Sequence, residues 1–273
     1  MQHPPPRKRA ASPGPRSHRR HSDCPPYRSF RQHRASCQRQ IPDGPCQQGR
    51  ATFWCMCTLY AVTKGIDAVR SIVRRLEGDC DFTVPQRAAI LPDGVAPVVT
   101  QDANGRRSIE LMRWGFPPRA LVTRTTRPVV TNARWLRTEF WIPHLERRCL
   151  VPATAFCEYQ DGTKTPIWFA RPADRGDTRP LFFFAGLWCA WSGRRGTKDA
   201  PAYGKHRLFT LVTTFANELV APLHSEAMPV ILPDADACDQ WLDGRIQEAL
   251  ALQRPPPADW LTIVSRGPHA DAG

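Results

Sequence analysis

Cys57, directly after Met56, carries the most unusual chemistry in this chain. If translation starts at Met56 and that residue is trimmed, Cys57 bears a free α-amine and a thiol on adjacent carbons. Such a 1,2-aminothiol closes a five-membered thiazolidine on an aldehyde, which neither group does alone. The bland alternative is a buried Met-Cys pair, and the dipeptide by itself does not choose between them. Four other stretches hold groups that suit the same kind of reaction.

Thr131-Asn132-Ala133-Arg134 offers an amide able to donate to a developing oxyanion or hold an amine, beside a guanidinium that can fork onto a phosphate. Its plain reading is an Asx-turn with a surface arginine. Phe156-Cys157-Glu158-Tyr159 sets one carboxylate in an apolar strand, where desolvation would raise its pKa toward the general-acid range. Strand parity leaves Glu158 free to point inward or outward. Leu223-His224-Ser225-Glu226 supplies a side chain that titrates near neutral pH and suits proton shuttling, though one His beside an apolar strand is commonly structural. Arg113-Trp114-Gly115-Phe116 offers either a buried aromatic at a strand end or a ring that stacks on an unpaired base.

The elements that would position these groups follow from hydrophobic periodicity. Cys57–Val62 alternates as a strand, and Ile66, Val69, Ile72, Val73 and Leu76 recur at helical spacing before Gly78. Pro97–Gln101 and Arg107–Arg113 flank Asp102-Ala103-Asn104-Gly105, a hairpin signal. Further strands are predicted at Cys149–Pro152, Phe156–Gln160, Pro166–Ala170, Leu181–Trp191 and Leu208–Thr214, with a turn at Asp161-Gly162. Helices are predicted at Ala235–Leu242 and Ile246–Leu252. No βαβ alternation or repeat is visible. The fold class is α+β: mostly antiparallel strands in a curved or barrel-like sheet with peripheral helices.

Residues 1–55 differ from this pattern. They hold nine prolines and 11 Arg/Lys against 2 Asp, a net of +9 out of the chain's +13, so only +4 remains for residues 56–273. Such a segment reads as a disordered basic extension, with a nucleic-acid tail, an organelle transit peptide or sequence upstream of the true start as its explanations. The expected division is therefore the extension 1–55, one domain over 56–267 and a tail at 268–273. The 41% hydrophobic content suffices for a core, and no apolar run approaches the ~18 residues of a membrane span. Ten cysteines scattered without a CxxC pair indicate neither a disulfide framework nor a zinc site, and suit a reduced, cytoplasmic setting.

The ordered set Met56-Cys57, Trp114-Gly115, Asn132-Ala133-Arg134, Arg148-Cys149-Leu150-Val151-Pro152 with the nearby Glu158, Phe184–Trp188, and His224 ahead of Met228-Pro229-Val230-Ile231-Leu232 resembles the SRAP family. These are the SOS response-associated peptidase-like proteins that crosslink to abasic sites in single-stranded DNA. The resemblance runs from Met56 to about Gly267 and implies a single α+β domain with a basic groove. It implies Cys57 as N-terminal nucleophile, Asn132 holding its amine and the sugar oxygen, Glu158 as acid/base, and His224 as proton carrier in Schiff-base chemistry. It also implies DNA contacts at Trp114 and Arg134, with Arg113 and Arg148 as further candidates. No cofactor, metal or membrane is implied. The expected partner is abasic single-stranded DNA, the expected state a monomer, and the expected location the cytoplasm, associated with the nucleoid. Thr58 and Leu59 depart from the common Gly-Arg that follows Met-Cys, which removes an arginine that contacts DNA in relatives. The rival readings are a cysteine peptidase acting in trans through Cys57 and His224, and a non-enzymatic nucleic-acid-binding protein led by its basic tail.

Overall fold

The computed structural model describes residues 59–77, 87–118, 129–177, 179–196 and 199–267. Met56, Cys57, Thr58, Gly78, the 1–55 extension and the tail 268–273 lie outside the described residues. The described strands, in chain order, are β1 (Leu59–Val62), β2 (Arg87–Ile90), β3 (Val95–Gln101), β4 (Arg107–Trp114), β5 (Asn132–Ala133), β6 (Arg148–Ala153) and β7 (Ala155–Tyr159). They continue with β8 (Pro166–Ala170), β9 (Phe182–Gly196), β10 (Pro201–Thr214), β11 (Met228–Pro229), β12 (Ile231–Leu232) and β13 (Thr262–Arg266). The helices are α1 (Ile66–Ile72), α2 (Ala235–Asp243) and α3 (Ile246–Leu250). None of them is long and apolar enough to cross a membrane.

Strands β10, β4, β3, β6 and β9 are hydrogen-bonded in that order, and β9 pairs back onto β10, so five strands close into a barrel. Every pairing around the ring is antiparallel except β10 with β4. Closure removes free sheet edges, which a short domain otherwise has to cover. The Asp102–Gly105 turn between β3 and β4 forms because the Asp102 carboxylate accepts from the backbone N–H groups of Asn104 and Arg106, while Gly105 takes φ +78°. A second sheet, β13-β8-β7-β1-β2, lies against the barrel. Tyr60 and Phe156 of that sheet meet Phe184 of β9 edge to face at 5.8 and 6.0 Å, joining both sheets in one core.

Helix α2 starts where the Asp234 side chain accepts from the N–H of Ala237 at 2.8 Å. It buries Trp241, whose Nε1 donates to the Cys149 carbonyl of β6 at 3.0 Å. Arg107, fully buried at the start of β4, ties the barrel to this helix. Its guanidinium donates to Asp239 and Asp243 of α2, to the Gln101 side chain and to the Arg74 carbonyl.

The predicted α+β class holds, and the predicted strand cores fall inside observed strands. β9 and β10 run longer than expected, through Gly196 and from Pro201. Their outer ends pair only with each other, with Arg194 opposite Tyr203 and Ser192 opposite Lys205, so no apolar alternation marks them. Helix α1 ends at Ile72, because Val73 is already extended (ψ 109°).

Candidate active site

Strand β7 is covered on both faces, and that fixes the direction of Glu158. Ala155 and Cys157 point into a small apolar cluster with Ala61, Trp168 and Ala170, whereas Phe156 points into the main core. Alternation therefore sends Glu158 to the barrel side, with 1% of its surface exposed. Neighbouring Cys157 is an unreactive thiol: burial, and then the charge of Glu158, pushes its pKa up to about 12.

His224 comes from the loop between β10 and β11 and is 2% exposed. The loop is wound into tight turns, with the N–H groups of Leu223 and His224 both donating to the Val220 carbonyl and Asn217 capping Val220. His224 Nδ1 lies 3.2 Å from the Tyr159 carbonyl. A carbonyl can only accept, so Nδ1 carries the hydrogen and Nε2 presents its lone pair when the ring is neutral. That Nε2 lies 3.7 Å from Glu158 Oε2 and makes no hydrogen bond among the described residues. The gap is longer than a direct hydrogen bond, so a substrate oxygen or nitrogen that meets both groups approaches from beside the pair.

The turn after β7 holds the His224 loop in place. Asp161 N–H donates to the Leu223 carbonyl at 2.7 Å, and its carboxylate accepts from Ser225 N–H at 3.0 Å and Ser225 Oγ at 2.9 Å. The Ser225 N–H bond is the main reason the Asp161 carboxyl sits below its ordinary range, and the nearby His224 adds to it.

Arg134 reaches the same region from the residue after β5, a strand that runs parallel to β10 with Asn132 opposite Leu211. Asn132 Nδ2 donates to Thr131 Oγ1 at 3.0 Å. Arg134 Nη1 donates to the carbonyls of Thr214 at 2.7 Å and Glu226 at 3.0 Å, so it clips the end of β10 to the segment two residues past His224. Its guanidinium lies over the Phe215 ring at 4.3 Å and near the Trp135 ring at 5.6 Å. Partial burial lowers its pKa from the ordinary arginine value, against the attraction of Glu226.

A family model described as SOS response associated peptidase (SRAP) matches residues 56–265. The chain belongs to this family. It is 29% identical over 166 residues to the abasic site processing protein YoqW of Bacillus subtilis, covering 58% of this chain and 67% of that one. It is 30% identical over 156 residues to the abasic site processing protein YoaM of the same organism, covering 55% of this chain and 62% of that one. The match thus spans about two thirds of these relatives' length. Solved structures of proteins from Bordetella bronchiseptica and Bacteroides thetaiotaomicron share the fold, each with a TM-score of 0.56 and covering 77% of this chain. Their identities are 22% and 19%, with 100% and 92% of those chains covered.

Within this SRAP chain, the side chains of three expected DNA contacts are engaged by the fold itself. Trp114 is fully buried: its ring stacks on Phe209 at 6.2 Å, meets Tyr60 edge to face at 5.2 Å, and its Nε1 donates to the Thr131 carbonyl. No face is left for a base, so Trp114 supports the strand of Asn132 from below. Arg148 donates to four backbone carbonyls, those of Leu145, Trp241, Leu242 and Gly244, and so caps the C-terminal end of α2. Arg113 is held by the carbonyl and carboxylate of Asp93, with 22% of its side chain exposed. Sequence reasoning missed Asp161, which it read only as a turn, and the rings of Trp135 and Phe215. The signal for Trp135 was its place directly after Asn132-Ala133-Arg134, while Phe215 gave none.

Proposed function

We propose that this SRAP protein recognises abasic sites in single-stranded DNA and caps them covalently through Cys57 as an N-terminal residue. The observation that carries the reading is the buried pair of Glu158 and His224, 3.7 Å apart, with Nδ1 of the histidine fixed by the Tyr159 carbonyl. The register of β1 supports this reading for Cys57. Leu59, two residues later, pairs with Cys157, the residue before Glu158. Two residues of chain span at most about 7 Å. The relatives YoqW and YoaM are abasic site processing proteins, which supports the same substrate.

The chemistry balances without a cofactor. The Cys57 amine adds to the C1′ aldehyde of the ring-opened sugar, forming a carbinolamine. A proton delivered to its hydroxyl lets water leave, and the nitrogen loses its own proton to give the imine. Glu158 and His224, facing one gap, supply an acid and a base for these two transfers. The Cys57 thiol then adds to the imine carbon while its proton goes to nitrogen. A thiazolidine results, with one water released and nothing oxidised or reduced. Asn132 steadies the amine and the sugar oxygen, and Arg134 offers its outward N–H groups to a backbone phosphate. The free amine arises by removal of Met56 after initiation there, or by cleavage of the Met56–Cys57 bond with the same side chains. The unit that acts is the domain over 56–267.

Incubation with a single-stranded oligonucleotide carrying one abasic site tests the reading. Protein beginning at Cys57 forms a heat-stable adduct, Cys57→Ala loses it, and the 273-residue chain forms it only after its mass falls by residues 1–56. An undiminished stable adduct from Cys57→Ala overturns the assignment. So does an adduct whose mass retains residues 1–56, because an amide nitrogen cannot form the imine.

A further inference from the structure

Trp135 and Phe215 are 66% and 65% exposed, although each is a large apolar ring. They are 80 positions apart in sequence, yet both lie against one guanidinium, that of Arg134, at 5.6 and 4.3 Å. Their mounting is rigid. Strands β5 and β10 run side by side, and Arg134-Trp135 and Phe215 continue from their matching ends. Gln253 Nε2 bridges the carbonyls of Arg134 and Thr213 at 2.6 and 3.0 Å. The Trp135 carbonyl accepts from both the N–H and the hydroxyl of Thr138. Arg134 itself is pinned by the Thr214 and Glu226 carbonyls, the latter two residues from His224. Two exposed rings are thus held around a fixed cation at the rim of the candidate active site.

Exposed aromatic rings cost hydration free energy, and a chain that keeps two of them fixed beside a cation has a surface suited to flat, electron-rich partners on an anionic backbone. Unpaired nucleobases have that chemistry: every base offers a π-face, and stacking on a protein ring is tolerant of sequence. A neutral peptide would match the rings but bring no anion to the cation they flank. We infer that Trp135 and Phe215, flanking Arg134, form the platform on which bases next to the lesion stack. The inference rests on the single-stranded DNA reading above and supplies the base contact that buried Trp114 cannot make.

The test separates stacking from both backbone binding and chemistry. Affinity of the full-length chain is measured by fluorescence anisotropy for two single-stranded oligonucleotides. Each holds a central tetrahydrofuran abasic analogue, which lacks the aldehyde and cannot crosslink. In one the neighbouring nucleotides carry bases; in the other they are base-free spacers on the same backbone. Trp135→Ala and Phe215→Ala are expected to weaken binding to the base-bearing strand roughly 5- to 100-fold each and to leave the spacer strand unchanged. Trp135→Phe keeps most of the affinity, which a mere folding defect in the Ala variant would not allow. The slope of log affinity against log salt stays the same, because no phosphate contact is removed. Equal losses on both strands, or no loss on either, overturn the platform; the second result is the one a protein-binding role for the rings would give. If the unaltered protein binds neither strand, the DNA reading itself fails rather than this extension of it.

Discussion

A histidine and a glutamate buried together need a reason to stay apart by 3.7 Å, and here the reason is the Tyr159 carbonyl. It holds His224 Nδ1, so the ring cannot swing toward Glu158 without giving up that bond. Under the proposed function, Glu158→Gln and His224→Ala should each slow crosslinking by about 10²–10⁴-fold. Affinity for a non-reactive abasic strand should change only a few-fold; losses of equal size in rate and affinity would instead indicate a damaged fold. Glu158 and His224 could be picked from sequence as candidates because their residue types are rare in apolar surroundings. Their mutual approach could not, since it depends on β7 being covered on both faces and on a loop from another sheet. The burial of Trp114 is illegible for a related reason: an aromatic beside a glycine reads the same whether its faces are open or filled, and Phe209 fills one of them.

At the scale of elements, the turn after β7 acts as a brace for the loop after β10. Asp161→Ala removes two hydrogen bonds to Ser225 while leaving the Leu223 carbonyl bond, which uses the backbone. The Asp161 side chain is 44% exposed, so the loss of global stability should stay within about 1 kcal/mol. The crosslinking rate should fall further than that suggests, because His224 loses its alignment. The pH sign follows from the depressed carboxyl. Its folded value lies below the ordinary one, so the brace is intact above about pH 4 and weakens as pH falls through the folded value. Unfolding curves and single-turnover rates of the two proteins at neutral pH check the first expectation, and the same rates at falling pH check the second. Turn chemistry at Asp161-Gly162 was legible because glycine at φ +81° suits a tight reversal. The second use of Asp161, as a tie to a loop far along the chain, leaves no local pattern. The long outer ends of β9 and β10 were illegible for another reason, since arginines, glycines and polar side chains there leave no apolar alternation, even where Arg195 is buried.

For the molecule as a whole, barrel closure and attachment of α2 depend on pairings remote in sequence, and Arg107 is the charged centre of one of them. Its partners Asp239 and Asp243 remain in contact with water, at 23% and 35% exposure, which moderates the cost of losing it. Burial works against ionisation of Asp239, but hydrogen bonds from Arg107 and Arg74 outweigh it and hold the carboxyl below its ordinary range. Arg107→Ala should destabilise the fold by about 3 kcal/mol, the low end for a broken buried pair. That corresponds to a Tm lower by roughly 6–12 °C, readable by thermal denaturation; an unchanged Tm would show the clamp to be dispensable. The class of fold was legible because the strand cores are short apolar runs bounded by turn residues, whereas apolar residues of the helices recur at helical spacing. The parallel contact of β10 with β4 that seals the ring has no signature in either strand. Glu158 belongs to the outer five-stranded sheet, whereas His224 hangs from a barrel strand, so their spacing is a gauge of how the two sheets are aligned. A slip of about 1 Å between sheets, too small to expose the core, would detune the proton relay. Mild urea should therefore silence crosslinking before tryptophan fluorescence reports any unfolding, and coincident midpoints would mean that the sheets move only when the whole domain melts.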